Sequence, residues 1–120
     1  MPIAIINGPV IQAGEALSDP VDCSSGFIVR LTMPQKPDGW TPANLTFQIS
    51  TDGDWFNDLY NHQGEEIMIP MVLGAAVIVP PDLFKSAVFL KIRSGRSSDP
   101  IVQDGARTFA VAVEEWPSVG

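Results

Sequence analysis

Hydrophobic and polar residues alternate with a period of two in several short stretches of the chain. Side chains two positions apart share one face of a β-strand, so this pattern predicts strands with one buried face. The clearest case is the stretch 45–50, in which apolar and polar residues take turns. The residues predicted to face inward are Leu45, Phe47 and Ile49, then Phe27, Val29, Leu31 and Met33, then Val88, Leu90 and Ile92, and finally Phe109, Val111 and Val113.

The pair Asp52 and Gly53 follows the stretch 45–50 and precedes a second strand-like stretch, residues 55–60. Asp-Gly between two such stretches favours a two-residue hairpin turn with positive φ at both positions. We therefore predict a β-hairpin centred on this pair.

Prolines and glycines interrupt the chain so often that the stretches between them have the length of strands. The apolar run 67–79 predicts two short strands, or one strand with a bulge, divided at Gly74 and covered on both faces. Pro80, Pro81 and Asp82 favour a single helical turn. The whole pattern predicts an all-β domain, a two-sheet β-sandwich of jelly-roll or immunoglobulin-like arrangement, with about seven to nine short strands and at most one short helical turn.

The length of 120 residues fits one domain. We expect one β-sandwich over residues 1–120, in which residues 1–8 form an N-terminal arm and residues 116–120 a C-terminal tail. The apolar residues 1–6 predict either an edge strand or a segment that lies on a neighbouring subunit, and residues 10–13 a separate short strand. The stretches 35–39 and 94–106, rich in Pro, Gly and polar residues, predict exposed loops.

Charge and cysteine content narrow the classes of function. The net charge of −7 opposes binding to nucleic acid, whose phosphates require clustered Lys and Arg. No secretory signal is expected, and the longest apolar run, residues 67–81, is too short and too interrupted for membrane insertion. Cys23 is the only cysteine, which excludes an intrachain disulfide and a cysteine-rich metal site, and we expect a buried or half-buried thiol.

The residues that could carry catalysis do not form a recognisable constellation. His62 is the only histidine and lies in a polar turn, and no serine has the surroundings of a nucleophile elbow. Glu65 and Glu66 are adjacent, so in an extended chain they point to opposite faces. Asp52 and Asp54 begin like a calcium loop but lack its remaining ligands, which leaves a bridged surface cation as an open alternative. We expect no enzyme activity, no cofactor and no dedicated metal site.

Aromatic residues offer a different chemistry. Trp40, Trp55 and Tyr60 could form a platform on which sugar rings stack, with Trp116 as a further aromatic residue. The alternative is that these side chains close the ends of the sandwich core.

Charges are segregated along the chain. Five carboxylates and no basic residue fall between residues 50 and 66, at Asp52, Asp54, Asp58, Glu65 and Glu66. Five of the seven basic residues come later, at Lys85, Lys91, Arg93, Arg96 and Arg107. Complementary patches of this kind suit head-to-tail contacts between identical copies, whereas ordinary mixed surface charge is the alternative. Phe89 is predicted on a polar strand face, and small Ala110 and Ala112 would let a partner pack closely.

The segment from Trp40 to Gly95 carries the strings WTPANLTFQISTDGDWFNDLY, PPDLF and FLKIRSG. This pattern resembles small structural proteins in the virions of tailed bacteriophages and prophages, and it is similar to the strand, turn and aromatic strand of discoidin-type sandwiches. The chain is too short for the ligand-binding spikes of discoidin-type modules, so their membrane or glycan binding is not carried over. The resemblance implies a non-enzymatic virion protein that decorates or cements the head, or sits in the neck or tail.

The resemblance also implies partners and a location. We expect self-association and contacts with other virion proteins, such as the major capsid protein or neck and tail proteins, in a virion assembled in the host bacterial cytoplasm. The candidate interface residues are Ile3, Ile5, Phe89, Arg93, Arg96 and Trp116. The alternative function is a carbohydrate-binding adhesin module that uses Trp40, Trp55 and Tyr60, and a third is an accessory domain of a bacterial enzyme.

Overall fold

The computed structural model describes residues 2–33, 40–71 and 74–117, and all of its paired strands are antiparallel. Over these residues the elements are β1 (Ile3–Ile11), β2 (Val21–Asp22), β3 (Gly26–Thr32), β4 (Leu45–Ser50), β5 (Asn57–Asp58), β6 (Ala76–Ile78), α1 (Pro81–Phe84), β7 (Phe89–Arg96), β8 (Asp99–Pro100) and β9 (Arg107–Glu115). The predictions of an all-β fold and of a single helical turn after Pro80 are confirmed.

Two sheets form the domain. The first sheet has the strand order β1-β9-β3-β6, and the second has the order β2-β7-β4-β5, with β8 paired to the end of β7. The two sheets pack together as a β-sandwich, as the alternating pattern predicted.

The core lies between the sheets and contains most of the predicted inward-facing residues. Fully or almost fully buried residues include Leu31, Phe109, Val111 and Val113 from the first sheet and Leu45, Phe47, Leu90 and Ile92 from the second. The helix α1 closes one edge, because the Phe84 ring packs edge-on against Phe47 with centroids 4.9 Å apart. Burial of these apolar side chains, each contributing about 1.5–3 kcal/mol, drives the packing of the two sheets.

The N-terminal residues form an edge strand. Residues 3–7 and 10–11 pair with β9 as parts of one strand, and a register shift separates Asn7 from Val10. The peptide bond between Gly8 and Pro9, at this irregularity, is cis. The prediction of two separate short segments was therefore wrong, and of the two alternatives for the first residues the edge strand is observed.

The strand β3 contains a bulge that reverses the predicted orientation of Phe27. Ile28 pairs with Val113 and Arg30 with Ala112, so Val29 is an extra residue relative to β9. Ile28 is consequently buried in the core with Leu31, whereas Phe27 falls on the opposite face of the sheet. A strict period of two cannot anticipate a bulge, because the extra residue shifts the alternation by one position.

The predicted hairpin is present, but its turn is longer than two residues. β4 pairs with β5 across residues 51–56, and only Gly53 has a positive φ, of 83°. The Ser50 hydroxyl accepts a hydrogen bond from the Gly53 amide at 2.9 Å, and Asp52 Oδ1 accepts from the amides of Asp54 and Trp55 at 2.9 and 3.0 Å. These side-chain bonds stabilise a wider loop than the Asp-Gly turn chemistry predicts.

The observed boundaries of three stretches can be compared with those predicted from apolar runs and from turn residues. Among the residues of the run 67–79 that the structure describes, 67–71 and 74–79, the strand is Ala76–Ile78. Ile78 is 84% exposed, so the expectation that both faces are covered was wrong. The predicted loop 94–106 begins later than expected, because β7 continues to Arg96 and turns tightly into β8. The predicted loop 35–39 and the last three residues of the predicted tail lie outside the described residues.

Candidate functional site

The outward surface of the first sheet is unusually apolar. Strand register places the side chains of directly paired residues on the same face, and the face opposite the core carries small and apolar residues on all four strands. We call this surface the outer face; it consists of Ile3, Ile5 and Asn7 on β1, Ala110, Ala112 and Glu114 on β9, Phe27, Arg30 and Thr32 on β3, and Ala76 and Ile78 on β6.

One cross-strand row of the outer face has an isoleucine at each end, with an alanine and an arginine between them. Ile5 pairs with Ala112, Ala112 with Arg30, and Arg30 with Ile78. The two isoleucines at the ends of this row are 52% and 84% exposed. Ile3, one step along β1 on the same face, is 50% exposed. Clustered exposed isoleucines are uncommon on a solvated sheet and are typical of surfaces that contact another molecule.

Arg30 adds a polar feature to the middle of the outer face. Its Nε is buried and has no hydrogen-bond partner among the described residues. A buried N–H without an acceptor destabilises a protein by about 1–3 kcal/mol, so Arg30 is an unsatisfied polar group within an otherwise largely apolar surface. Glu114, on the neighbouring strand β9, is a half-buried acidic residue on the same face.

Trp116, another candidate interface residue, lies at one end of the outer face. Its ring stacks obliquely on Phe27 with centroids 5.0 Å apart, and it remains 44% exposed. Lys85 approaches the same Phe27 ring, with Nζ 5.6 Å from the centroid. Phe27 is thus covered from outside by these two side chains and not by the core.

Arg93, another candidate interface residue, is only 6% exposed and forms ion pairs within the subunit. Its Nη2 lies 2.5 Å from Asp58 Oδ1, and its Nη1 lies 3.6 Å from Glu66 Oε2. Glu66 also accepts a hydrogen bond from the Ser97 amide at 3.2 Å. Arg93 is therefore unavailable to a neighbouring subunit. The acidic residues between 50 and 66 and the later basic residues are thus paired in part within one subunit.

The other two candidate interface residues lie on the second sheet. Arg96 is exposed at the end of β7. Phe89 is half-buried, and its ring lies so close to Gly53 that a Cβ there would be 3.3 Å from it. Phe89 thus packs beneath the β4–β5 loop of its own chain.

The aromatic residues proposed for sugar binding do not meet in one place. Trp40 is 8% exposed and packs edge-on against Phe109, with centroids 6.3 Å apart, so it belongs to the core. Trp55 and Tyr60, which are 79% and 48% exposed, line one open groove of about 410 Å³ beside β5. Trp40 therefore does not share the platform predicted for the three residues, whereas Trp55 and Tyr60 line the same groove.

Two carboxylates of this groove are held in their charged form. Hydrogen bonds from the Trp55 and Asp54 amides and the Ser50 hydroxyl lower the pKa of Asp52. Partial burial tends to raise the pKa of Asp58, but the hydrogen bonds donated by Arg93 and Gln48 outweigh it, and the pKa is lowered. Both side chains therefore stay ionised well below neutral pH.

The residues considered for catalysis or metal binding do not come together in one place. His62 and Glu65 are exposed in the loop after β5, whereas the Glu66 side chain turns inward to Arg93. Within residues 2–33, 40–71 and 74–117, no three His, Cys, Asp or Glu side chains are arranged to hold a metal ion.

Cys23 is fully buried, as predicted, and burial raises the pKa of its thiol to about 12. None of the helices in the part of the chain that is described has the length and apolar character needed to cross a membrane.

Sequence reasoning missed the two most informative residues of the outer face. Arg30 and Ile78 lie on strands whose pairing with β9 and with each other cannot be read from local alternation. One signal was available, because Ala110 and Ala112 alternate with large buried residues on β9 and mark an outer surface without bulk.

Comparisons with protein-family models, curated proteins and solved structures found no match for this chain.

Proposed function

We propose that this chain is a non-enzymatic structural protein of a bacteriophage virion, which decorates or cements the head or sits in the neck or tail. In this role it associates with copies of itself and with other virion proteins. The observation that carries the proposal is the outer face, an apolar sheet surface with no obvious use in an isolated subunit. The virion context rests on the resemblance of the segment from Trp40 to Gly95.

A second copy of the chain is the partner that the outer face fits best. A twofold axis that lies in the plane of the contact, perpendicular to the row and through its middle, brings Ile5 of one copy opposite Ile78 of the other, so the exposed apolar ends of the row meet. The face carries one cation and one anion, Arg30 and Glu114, which would pair across the same axis. The surface thus offers exposed apolar side chains and one charge of each sign to a second copy of itself.

The size of the outer face sets the expected strength of this contact. Four strands about 4.8 Å apart and a length of about 20 Å give a footprint of about 300 Å², well below the roughly 800 Å² per partner of a stable complex. A pair of free subunits should therefore associate weakly, with a dissociation constant on the order of 0.1–1 mM. Many copies held in a virion would strengthen each contact through effective concentration.

Co-sedimentation with virions of the phage that encodes the chain tests the role. The wild-type protein should pellet with particles and saturate at a fixed number of copies, whereas the double variant Ile5→Lys, Ile78→Lys should pellet at least tenfold less. A Val102→Lys variant, altered at a residue that is 56% exposed but lies off the outer face, is the matched control. Equal pelleting of all three proteins, or no binding by the wild type, would contradict the proposal.

A further inference from the structure

We propose that the groove beside β5 binds a neutral carbohydrate, with the Trp55 ring as a stacking surface and the Asp58 carboxylate as a hydroxyl acceptor. This groove belongs to the second sheet and is separate from the outer face. The inference goes beyond the proposed structural role and does not depend on it.

The exposure of Trp55 is built into the loop between β4 and β5. Its backbone amide is held by Asp52 Oδ1 at 3.0 Å, and the next residue, Phe56, is fixed under Lys91, whose Nζ lies 4.4 Å from the ring centroid. The loop is thus anchored on both sides of a tryptophan that is 79% exposed. A tryptophan on an anchored backbone offers apolar area with a lower backbone ordering cost when a ligand binds, and its side chain has only two χ angles to fix.

Tyr60 supplies a second fixed ring on the same groove. Its hydroxyl lies 3.2 Å from Ser97 Oγ, within hydrogen-bond distance, and the side chain is 48% exposed. Ile49 and Leu59, both half-buried, add apolar lining between the rings. The apolar C–H face of a pyranose ring suits a groove of this composition, and its volume of about 410 Å³ is enough for one or two sugar residues.

Asp58 provides an acceptor with a fixed orientation. Both hydrogen bonds that the described residues donate to it, from Arg93 and from Gln48 Nε2 at 3.1 Å, go to Oδ1. The side chain lines the groove and is 33% exposed, so a carboxylate that is held through Oδ1 remains accessible to a ligand. Sugar hydroxyls donate well to such a preoriented carboxylate.

The other polar groups that line the groove indicate whether its ligand is neutral, cationic or anionic. Thr51 and Asn57, which also line the groove, can both donate and accept hydrogen bonds. Sugar hydroxyls have the same dual character, whereas a cation would use only the acceptors. An anion would be repelled by the ionised Asp52 and Asp58. A neutral polyol therefore matches the groove better than either kind of ion.

Titration with methyl glycosides of glucose, galactose, mannose and N-acetylglucosamine tests the site, by saturation-transfer NMR and tryptophan fluorescence up to about 50 mM ligand. At least one glycoside should bind wild-type protein, Trp55→Ala should bind it about tenfold or more weakly, and Trp55→Phe should fall between the two. Val102→Ala, which removes exposed apolar area far from the groove in sequence, should bind as the wild type does.

Three outcomes would overturn the inference. They are no binding of any glycoside to the wild type, unchanged binding by Trp55→Ala, and binding of lysine methyl ester in place of the glycosides. The result is independent of the virion role, because Trp55→Ala should leave co-sedimentation with particles unchanged, and the double variant Ile5→Lys, Ile78→Lys should leave glycoside binding unchanged.

Discussion

Arg93 and Asp58 form a short ion pair on the second sheet, with Nη2 2.5 Å from Oδ1, although the sequence places them 35 residues apart. The pair joins β7 to β5 across the intervening strand β4, because Arg93 pairs with Thr46 and Asp58 with Gln48. It therefore holds the short edge strand β5, and with it the aromatic groove, against the rest of the sheet.

Replacing Asp58 with Asn should lower the free energy of unfolding by about 1–2 kcal/mol, because a nearly buried guanidinium loses one of its two carboxylate partners while the other remains. The partial exposure of Asp58 keeps this value below that of a fully buried pair. Urea unfolding at pH 7 measures the change. An Asp54→Asn variant in the neighbouring exposed loop is the control and should lie within about 0.5 kcal/mol of the wild type. A loss no larger than that of the control would show that the ion pair does not stabilise the sheet.

Stability should also fall in acid because of the same residue. The folded pKa of Asp58 is lowered, so the unfolded chain binds more protons as the pH falls. The contribution is fully present above the unfolded pKa of about 3.9 and is lost as the pH drops through the folded pKa. Unfolding curves between about pH 6 and pH 2.5 should show a steeper loss for the wild type than for Asp58→Asn. Parallel pH profiles for the two proteins would contradict this assignment.

Gly95 should resist replacement by alanine. It has a φ of 85°, and a Cβ would lie 2.6 Å from the Asp99 carbonyl oxygen and 2.7 Å from the Ile101 nitrogen. Gly14 is the matched control, since its φ is 83° and the space around it is open. We expect Gly14→Ala to cost about 1 kcal/mol for the backbone conformation alone and Gly95→Ala about 2 kcal/mol or more, because it adds the clash. Equal losses in thermal unfolding would show that the β7–β8 turn can relax around the new methyl group.

The Cys23 thiol should be inert in the folded protein. It is fully buried, and burial raises its pKa to about 12, so almost no thiolate is present at pH 8. Labelling with an aromatic disulfide reagent at pH 8 should be at least about a hundredfold slower than in urea-unfolded protein. Comparable labelling rates in the two states would mean that the region between β2 and β3 opens readily.

The class of fold could be predicted from local pattern, but the faces of the strands only in part. Alternation at Leu45, Phe47, Leu90 and Ile92 placed these residues correctly in the core, because nothing interrupts their register. At Phe27 the same rule failed, because the bulge at Val29 depends on how β3 pairs with a strand 80 residues later. Strand register depends on the partner strand, so it cannot be predicted from the local sequence of one strand alone.

The sequence also predicted only in part which candidate residues lie on the surface of the domain. Arg93 was expected at a subunit contact because basic residues cluster along the chain, yet the fold brings it to Asp58 and Glu66 and buries it. Trp40 and Trp55 are indistinguishable by type, and only the fold assigns one to the core and the other to the surface. Ile3 and Ile5 were expected at a contact surface because residues 1–6 are apolar without a polar alternate, and the structure shows both side chains about half exposed on β1.

Sedimentation velocity over about 10 µM to 1 mM protein tests the central claim, that the outer face joins copies of the chain. The wild type should change from its monomer mass of 12.9 kDa toward a dimer or larger species as the concentration rises, and Val102→Lys should do the same. Ile5→Lys, Ile78→Lys should remain monomeric throughout, with a free energy of unfolding within about 0.5 kcal/mol of the wild type, since both side chains are exposed. A wild type that stays monomeric at 1 mM, or association that persists in the double variant, would contradict the account.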